Sequence, residues 1–280
     1  MPTPDPVHFY FIMRPKPVID HALIKQIQQR PDKLYHVYYQ PKKKFGSPQI
    51  GKDGAELMRK ITRPVDRLKI IQQQIHTCLK EIKLPNCMYG GVHERTNFDN
   101  AISHKGSRYF LTIDLRNFFG NISNSIVYQT LINNGFSWKE AREITMVSTY
   151  KGALPQGAPT STTLANLSFA PTAIILENFC RERNITFTVF VDYLAFSSSQ
   201  CFEGDISKIL QIIKDSGYFV NHKKVHYKKN CCEITGLYVN RGKLSLHKNI
   251  LANVNKPGIK EYVDAVKNKY DKHKKAAQLS

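Results

Sequence analysis

Two aspartates stand at the ends of apolar runs. Asp114 closes Tyr109-Phe-Leu-Thr-Ile-Asp114, and Asp192 lies between the run Thr186 to Val191 and the run Leu194 to Ser197. All three runs have the aromatic and β-branched content of strands. Aspartate is depleted there, and an ionised carboxylate is costly to take out of water. An aspartate at a strand end therefore needs a compensating partner, usually a hard cation. Mg²⁺ suits such a pair, because it takes one or two carboxylates and completes its shell with water and substrate phosphates. Two such ions roughly 4 Å apart can activate a hydroxyl nucleophile and steady a leaving pyrophosphate. The plainer alternative is two turn or capping aspartates, and the pair by itself does not outweigh it.

The elements that must position this pair are legible in outline. The pattern predicts a short helix capped by Asp20 and running through Ile27, then a strand over Tyr35 to Tyr39. A basic hairpin or loop follows through Pro41 to Gly46 and Gly51 to Gly54. From Pro64, apolar residues at Leu68, Ile71, Ile75, Leu79 and Ile82 recur every three or four positions. That is an amphipathic helix with proline in its first turn. Ile126 to Leu131 reads as a helix stopped by Gly135. Ser137-Trp-Lys-Glu140 is a capping box opening another, with Ala141, Ile144 and Val147 on one face. Gly152 to Pro159 is a turn-rich loop. Thr160 to Cys180 is helical, with a kink expected at Pro171. Ile206 to Ile213 and Ile259 to His273 are further helices. Strands and helices do not follow the regular order of a doubly wound sheet, so the fold class is α+β.

Composition narrows the partners. The chain has 280 residues, and 41 Lys+Arg against 22 Asp+Glu give a formal charge of +19. Charge of this size says nothing of fold but points to a polyanion, nucleic acid or an anionic membrane surface. With 41% hydrophobic and 11% aromatic residues the chain can bury a core, which argues against wholesale disorder. No apolar run approaches the roughly 20 residues of a membrane span. His8 to Met13 is too short and too aromatic for a signal peptide. The six cysteines form no C-x-x-C pair and no zinc spacing, so reduced thiols in a cytoplasmic protein are expected. The basic residues do not line one face of an amphipathic anchor, so no membrane partner is expected.

The surroundings of the two aspartates decide the chemistry. Asp114 opens Asp-Leu-Arg-Asn-Phe-Phe-Gly120. Leu154-Pro-Gln-Gly-Ala-Pro-Thr-Ser161 and Leu164-Ala-Asn166 follow, and then Phe190-Val-Asp-Tyr-Leu-Ala-Phe-Ser197. In order and spacing these resemble motifs A, B and C of reverse transcriptases, the middle string being very specific. Asn100-Ala-Ile-Ser-His104 looks like the N-A-x-x-H element of retron reverse transcriptases. Ile234-Thr-Gly236 is similar to their V-T-G element, and Arg59-Lys-Ile-Thr-Arg-Pro64 with Leu68, Lys69 and Gln72 to their fingers segment. The resemblance covers most of the chain and identifies it as similar to retron-type reverse transcriptases.

That resemblance implies a right-hand polymerase. Fingers would occupy the N-terminal region 1–108, and an antiparallel palm sheet with packed helices 109–240, with fingers elements between 124 and 160. A short helical thumb would occupy 241–280. It implies that Asp114 and Asp192 hold two Mg²⁺ ions, with Mn²⁺ as an alternative, and that the Leu115 carbonyl adds an oxygen. Phe119 matches the aromatic gate that excludes a 2′-OH. Gln156 and Gly157 would lie against the incoming nucleotide, and Arg59 would take its triphosphate, guanidinium being a bidentate phosphate partner. Lys224, in Asn221-His-Lys-Lys224, matches a lysine that protonates pyrophosphate. Asn100, His104, Ile234, Thr235 and Gly236 would help to recognise a structured non-coding RNA. The plain readings are a core histidine at His104 and a strand bend at Thr235-Gly236. Implied partners are the cognate RNA, its DNA product, deoxynucleoside triphosphates and an effector protein of anti-phage defence.

Two departures stand out. The family turn is Tyr-Ala-Asp-Asp, but here it is Phe190-Val-Asp-Tyr193. A phenol is neutral at pH 7 and a poor ligand, so metal affinity or rate should suffer. An active enzyme with an unusual turn, an inactivated form and a silent subunit all remain open. The first is preferred, and on it Tyr193→Asp should preserve or raise primer extension. The C-terminal region is also short: about one long helix remains, with Lys260, Lys267, Lys269, Lys272, Lys274 and Lys275 along it. It reads as a reduced thumb on the phosphate backbone, with a solvated helix end as the plain alternative. A non-catalytic nucleic-acid-binding subunit and a template-independent polymerase are the competing functions. From Lys223 to Lys248, seven Lys and Arg face only Glu233, so the positive charge surrounds the aspartate pair.

Overall fold

In the computed structural model, residues 19, 21–44, 47–51, 53–240, 242–256 and 258–278 are described. The Asp20 cap and the stretch His8 to Met13 lie outside them. Helix α1 (His21–Gln29) and a 3₁₀ turn lead into strand β1 (Tyr35–Pro41). Strands β2 (Lys43–Lys44) and β3 (Ser47–Pro48) pair as the expected basic hairpin. The next basic segment is itself a strand, β4 (Met58–Pro64), paired with β1. Pro64 therefore ends a strand instead of opening a helix. Proline lacks a ladder donor and disfavours helix in the residue before it, which suits the last position of an edge strand. Helix α2 (Asp66–Leu79) begins two residues later and buries Leu68, Ile71, Ile75 and Leu79 as its spacing requires.

Helix α3 (Asn97–Ile102) precedes strand β5 (Tyr109–Asp114), a single turn α4 (Phe118–Asn121) and helix α5 (Asn124–Asn133). Helix α6 (Trp138–Ser148) opens on the expected capping box: the Glu140 N–H donates to Ser137 Oγ at 3.3 Å, and the Ser137 N–H to Glu140 Oε2 at 2.9 Å. Helix α7 (Ser161–Arg181) continues through Pro171. The missing N–H removes one helical bond, but Phe169, Ala170, Ala173 and Leu176 are buried around it, and their packing holds the helix. Strands β6 (Thr186–Phe190) and β7 (Tyr193–Ser198) flank the second aspartate, and helix α8 (Ile206–Asp215) follows. The basic stretch after it folds into four short strands: β8 (His226–Lys229), β9 (Cys231–Ile234), β10 (Leu237–Asn240) and β11 (Lys243–Leu246). Helices α9 (Lys248–Leu251) and α10 (Ile259–Gln278) end the described chain.

The chain forms two compact units. Described residues up to Tyr39, with Lys60–Asn86 and Asn117–Ile174, make the first; Gln40–Arg59, Cys87–Arg116 and the residues from Ile175 onward make the second. In the first, the buried Gln72 of α2 donates through Nε2 to Tyr35 Oη (3.1 Å) and to the Val147 carbonyl (2.7 Å), fastening α2 to α6. In the second, an antiparallel sheet runs in the order β6-β7-β5-β8, and a three-stranded sheet in the order β11-β10-β9. Its core joins Phe98, Ala101, Phe110, Ala195, Ile234, Leu237, Val239 and Val266. Each large side chain contributes roughly 2 kcal/mol by burial. That packing, more than local propensity, holds strands only four residues long. All six cysteines are free, and among the described residues no helix is long and apolar enough to cross a membrane.

Candidate active site

Both aspartates reach the same end of the second unit's sheet. Asp114 is the last residue of β5 and pairs across with Tyr193. Asp192 is in the two-residue turn closing β6 onto β7, where Phe190 pairs with Tyr193. The Leu115 N–H donates to the Asp192 carbonyl at 2.8 Å, locking turn to strand. The first turn residue, Val191, has φ of +60°. A β-branched side chain is strained there by about 1–3 kcal/mol, and glycine is usual at such hairpin positions.

Gly90 supports this strained turn, and no sequence signal marked it. A Cβ on Gly90 would lie 2.5 Å from Val191 N and 2.7 Å from the Phe190 carbonyl carbon. The neighbouring Tyr89 N–H donates to the Val189 carbonyl at 2.7 Å. Backbone packed so closely cannot give way without moving Asp192. Gly90→Ala is expected to slow nucleotide incorporation about 100-fold, the usual effect of displacing a reacting group by an ångström. The melting temperature should fall only by the few degrees of modest overpacking. Single-turnover extension beside a melting curve checks this, and an unchanged rate would refute it.

Burial and like charge set the electrostatics of the pair. Burial raises the Asp192 carboxyl above its ordinary range, and the nearby Asp114 charge raises it further; a backbone N–H, Lys224 and Arg59 oppose them. Lys224 Nζ lies 2.8 Å from Asp114 Oδ2. It is brought there by a 3₁₀ turn and by the strip Phe219 to Asn221, which runs beside Asp114: the Asn221 N–H donates to the Asp114 carbonyl (2.9 Å) and the Arg116 N–H to the Phe219 carbonyl (2.7 Å). Phe219 itself is 61% exposed, an aromatic face beside the site that sequence reasoning passed over. Among the described residues no hydrogen bond reaches the Leu115 carbonyl. No cluster of three or more His, Cys, Asp and Glu occurs there either. Two like-charged carboxylates with an unused carbonyl suit Mg²⁺ that draws its other ligands from water and phosphate.

Three of the nucleotide-facing candidates belong to the first unit. Phe119 stands on α4, its ring 5.7 Å from Phe118, which is buried edge-on against Phe169 at 5.9 Å. The Gln156 carbonyl accepts the Thr62 N–H of β4 at 2.7 Å. Ser161 Oγ donates to the Pro155 carbonyl at 2.6 Å. Gly157 has φ of +116°, and a Cβ there would meet Ile61 Cγ2 at 2.8 Å, so only glycine fits. Gln156 and Gly157 thus sit on a loop of fixed shape. The fourth candidate, Arg59, is exposed on β4 and is counted with the second unit.

The two retron-like strings come together in the second unit. Thr235 (φ +46°) and Gly236 (φ +89°) form a two-residue hairpin turn between β9 and β10. Thr235 Oγ1 accepts from Asn100 Nδ2 (3.3 Å) and donates to the Asn97 carbonyl (3.1 Å), and Asn97 Nδ2 donates to the Thr235 carbonyl (3.0 Å). Asn100, His104 and Ile234 have no exposed surface, so they shape the surface of this region without reaching solvent. His104 bridges Ser197 Oγ through Nδ1 and Thr188 Oγ1 through Nε2, each at 2.7 Å. Because Ser197 donates onward to Ser107 Oγ (2.9 Å), Nδ1 carries the ring proton.

Burial pushes His104 down to about 3. Below the ordinary value of 6.5 the unfolded chain takes up a proton that the folded ring refuses. Stability is therefore lost as pH falls from there toward 3, at about 1.4 kcal/mol per unit. Between pH 7 and 5 the parent should lose about 2 kcal/mol more than His104→Gln, read from urea midpoints. Equal losses would show that the ring is not neutral and buried.

Tyr193 and one lysine of α10 are engaged within the protein. The Tyr193 phenol donates to the Glu233 carbonyl at 2.9 Å and packs against the core, and burial holds its pKa far above normal. Helix α10 buries Val263 and Val266, and Lys269 pairs with Asp99 at 2.8 Å, which takes that lysine off the free surface. Lys260 and Lys267 remain exposed.

The chain matches the family Reverse transcriptase (RNA-dependent DNA polymerase) over residues 41–239. It is 26% identical to the retron Ec86 reverse transcriptase of Escherichia coli over 203 residues, 70% of this chain and 63% of that one. It is also 26% identical to the retron Ec83 enzyme of the same species over 242 residues, 79% of this chain and 73% of the relative. Against retron Mx162 of Myxococcus xanthus it spans 45% of the relative's length, at 24% identity over 68% of this chain. Among solved structures, the telomerases of Candida albicans and Candida tropicalis superpose with a TM-score of 0.50, at 10% and 11% identity. They cover 86% and 85% of this chain and 54% and 55% of theirs, a likeness of fold. The antiparallel sheet with its packed helices is the palm, with fingers, of that fold. The chain belongs to the reverse transcriptase family and is of the retron type.

Proposed function

We propose that the chain is an RNA-directed DNA polymerase that extends DNA on a cognate structured non-coding RNA, as part of anti-phage defence in the bacterial cytoplasm. The observation that carries this reading is the Asp114–Asp192 pair at one sheet end, with Lys224 on Asp114. The attacking hydroxyl would form a bond to the α-phosphorus as the bond to pyrophosphate breaks. Two Mg²⁺ ions held by both carboxylates and the Leu115 carbonyl would supply the charge that lowers the hydroxyl pKa and steadies the leaving group. Lys224 would hand its Nζ proton to the departing pyrophosphate. Phe119 would crowd a 2′-OH, Gln156 and Gly157 would seat the nucleotide, and Arg59 would grip the triphosphate. Asn100, His104 and Ile234 to Gly236 would set the form of the RNA-reading surface. Residues 241–280, with Lys260 and Lys267, would serve as the thumb, and an effector protein would complete the system.

Tyr193 favours a second reading, a nucleic-acid-binding subunit without activity. The two part on one experiment: purify the chain with its bound nucleic acid, sequence that with and without RNase, and supply labelled deoxynucleotides with Mg²⁺ or Mn²⁺. One specific RNA–DNA hybrid that is extended supports the polymerase. Bound RNA with no incorporation under either metal supports the silent subunit.

A further inference from the structure

The far end of the sheet that carries Asp114 and Asp192 holds a basic cleft. Its volume is about 480 Å³, and Gly106, Ser107, Arg108, Asn230 and Gly242 line it. It lies where β5 begins, five residues before Asp114, or about 17 Å along the strand. Tyr109 there pairs with Ser198 on one side and Lys229 on the other. We propose that this cleft binds the phosphate backbone of the RNA, anchoring it at the end of the palm sheet remote from the catalytic aspartates. The inference rests on the polymerase reading and adds a site to it.

Three turns with positive φ converge there: Gly106 at +94°, Asn230 at +72° and Gly242 at +81°. A Cβ on either glycine would meet nothing within 4 Å, so both present bare backbone to open space, where another chain can approach closely. Arg108 lines the cleft, Lys105 and Lys229 are next in sequence to lining residues, all three are exposed, and among the described residues none of them is in an ion pair. The charges of Arg108 and Lys229 are held in place without a carboxylate. Arg108 Cζ lies 5.8 Å and Lys229 Nζ 5.6 Å from the centre of the Tyr109 ring, which stacks on Tyr227. A cation resting on an aromatic face keeps its N–H groups for another acceptor. The donor chain from His104 through Ser197 ends on Ser107 Oγ, which accepts and so leaves its own O–H to donate. Guanidinium, ammonium, hydroxyl and bare glycine backbone together suit a phosphate diester, and RNA is the polyanion this fold handles.

The test uses a labelled RNA hairpin as probe. Its dissociation constant is measured across a KCl series for the parent and for the double variant Arg108→Gln, Lys229→Gln. Two lost phosphate contacts should make the log–log salt slope shallower by about 1.5 and weaken binding several-fold at low salt. In the parent, bound RNA should protect Lys105 and Lys229 from acetylation, a readout that needs no variant to fold. An unchanged slope, or equal labelling with and without RNA, overturns the proposal. Extension of a primed template by the parent is scored separately. Protected lysines without extension leave the cleft standing and sink the polymerase reading; extension with unprotected lysines does the reverse.

Discussion

Asp192→Asn should abolish nucleotide incorporation while leaving the fold intact or firmer. The carboxyl is largely buried beside Asp114, and both burial and that neighbouring charge raise its pKa. A raised carboxyl contributes stability only at low pH and loses it as pH rises through the folded value. At pH 7 without metal, Asp192 is therefore a liability that an isosteric amide removes, so the variant should melt at or above the parent in EDTA. With Mg²⁺ the order inverts. The amide would bring no charge to the proposed two-ion site, and several kcal/mol of transition-state stabilisation should disappear. At about 1.36 kcal/mol per decade that is a loss of at least about a thousandfold. Hybrid affinity should be kept, because the basic surfaces are untouched. Extension, melting with and without Mg²⁺, and filter binding read the three effects. A variant that incorporates nucleotides near the parental rate would remove Asp192 from the chemistry.

What the sequence showed of this site follows from the range of the interactions involved. The strand ending at Asp114, the paired strands around Asp192 and the Ser137–Glu140 box were legible because period and capping are local. Strand β4 and the strands from β8 to β11 were not read as strands. They are short and basic, and only pairing with distant partners makes them so, as with Lys229 opposite Tyr109. Proline favours a helix start, yet Pro64 serves an edge strand. The functional strings were recognisable as strings, but not the reason for two of them. That Asn100 meets Thr235 from 135 residues away, and that Gly90 must lack a side chain for Val191 to hold its turn, are facts of tertiary approach. The +19 charge likewise points to a polyanion. It did not foretell that Lys269 would be spent on Asp99 or that Arg108 and Lys229 would share one tyrosine ring.

Tyr193→Asp, which the family pattern alone would make neutral or beneficial, should instead damage the protein. On this prediction position 193 is a structural strut. Its ring fills space against the core containing Ile234 and Leu237, and its hydroxyl meets the Glu233 carbonyl on β9. Aspartate is too short to reach that carbonyl and, when ionised, has no proton to donate. Removing a partly buried aromatic ring costs about 3 kcal/mol, the low end for aromatic truncations. The new carboxylate would also stand directly across the ladder from Asp114, where like charges repel. A chain of this size loses roughly 2–4 °C of melting temperature per kcal/mol, so a fall of about 10 °C is expected. Incorporation should not rise, because the side chain leaves the backbone toward β9. Tyr193→Phe separates packing from hydrogen bonding: it keeps the ring, forgoes one bond of about 1 kcal/mol and should extend primers at the parental rate. Melting curves and single-turnover extension on the three proteins decide the matter. If the aspartate variant melts with the parent and extends faster, the residue is a degraded metal ligand and the strut interpretation falls.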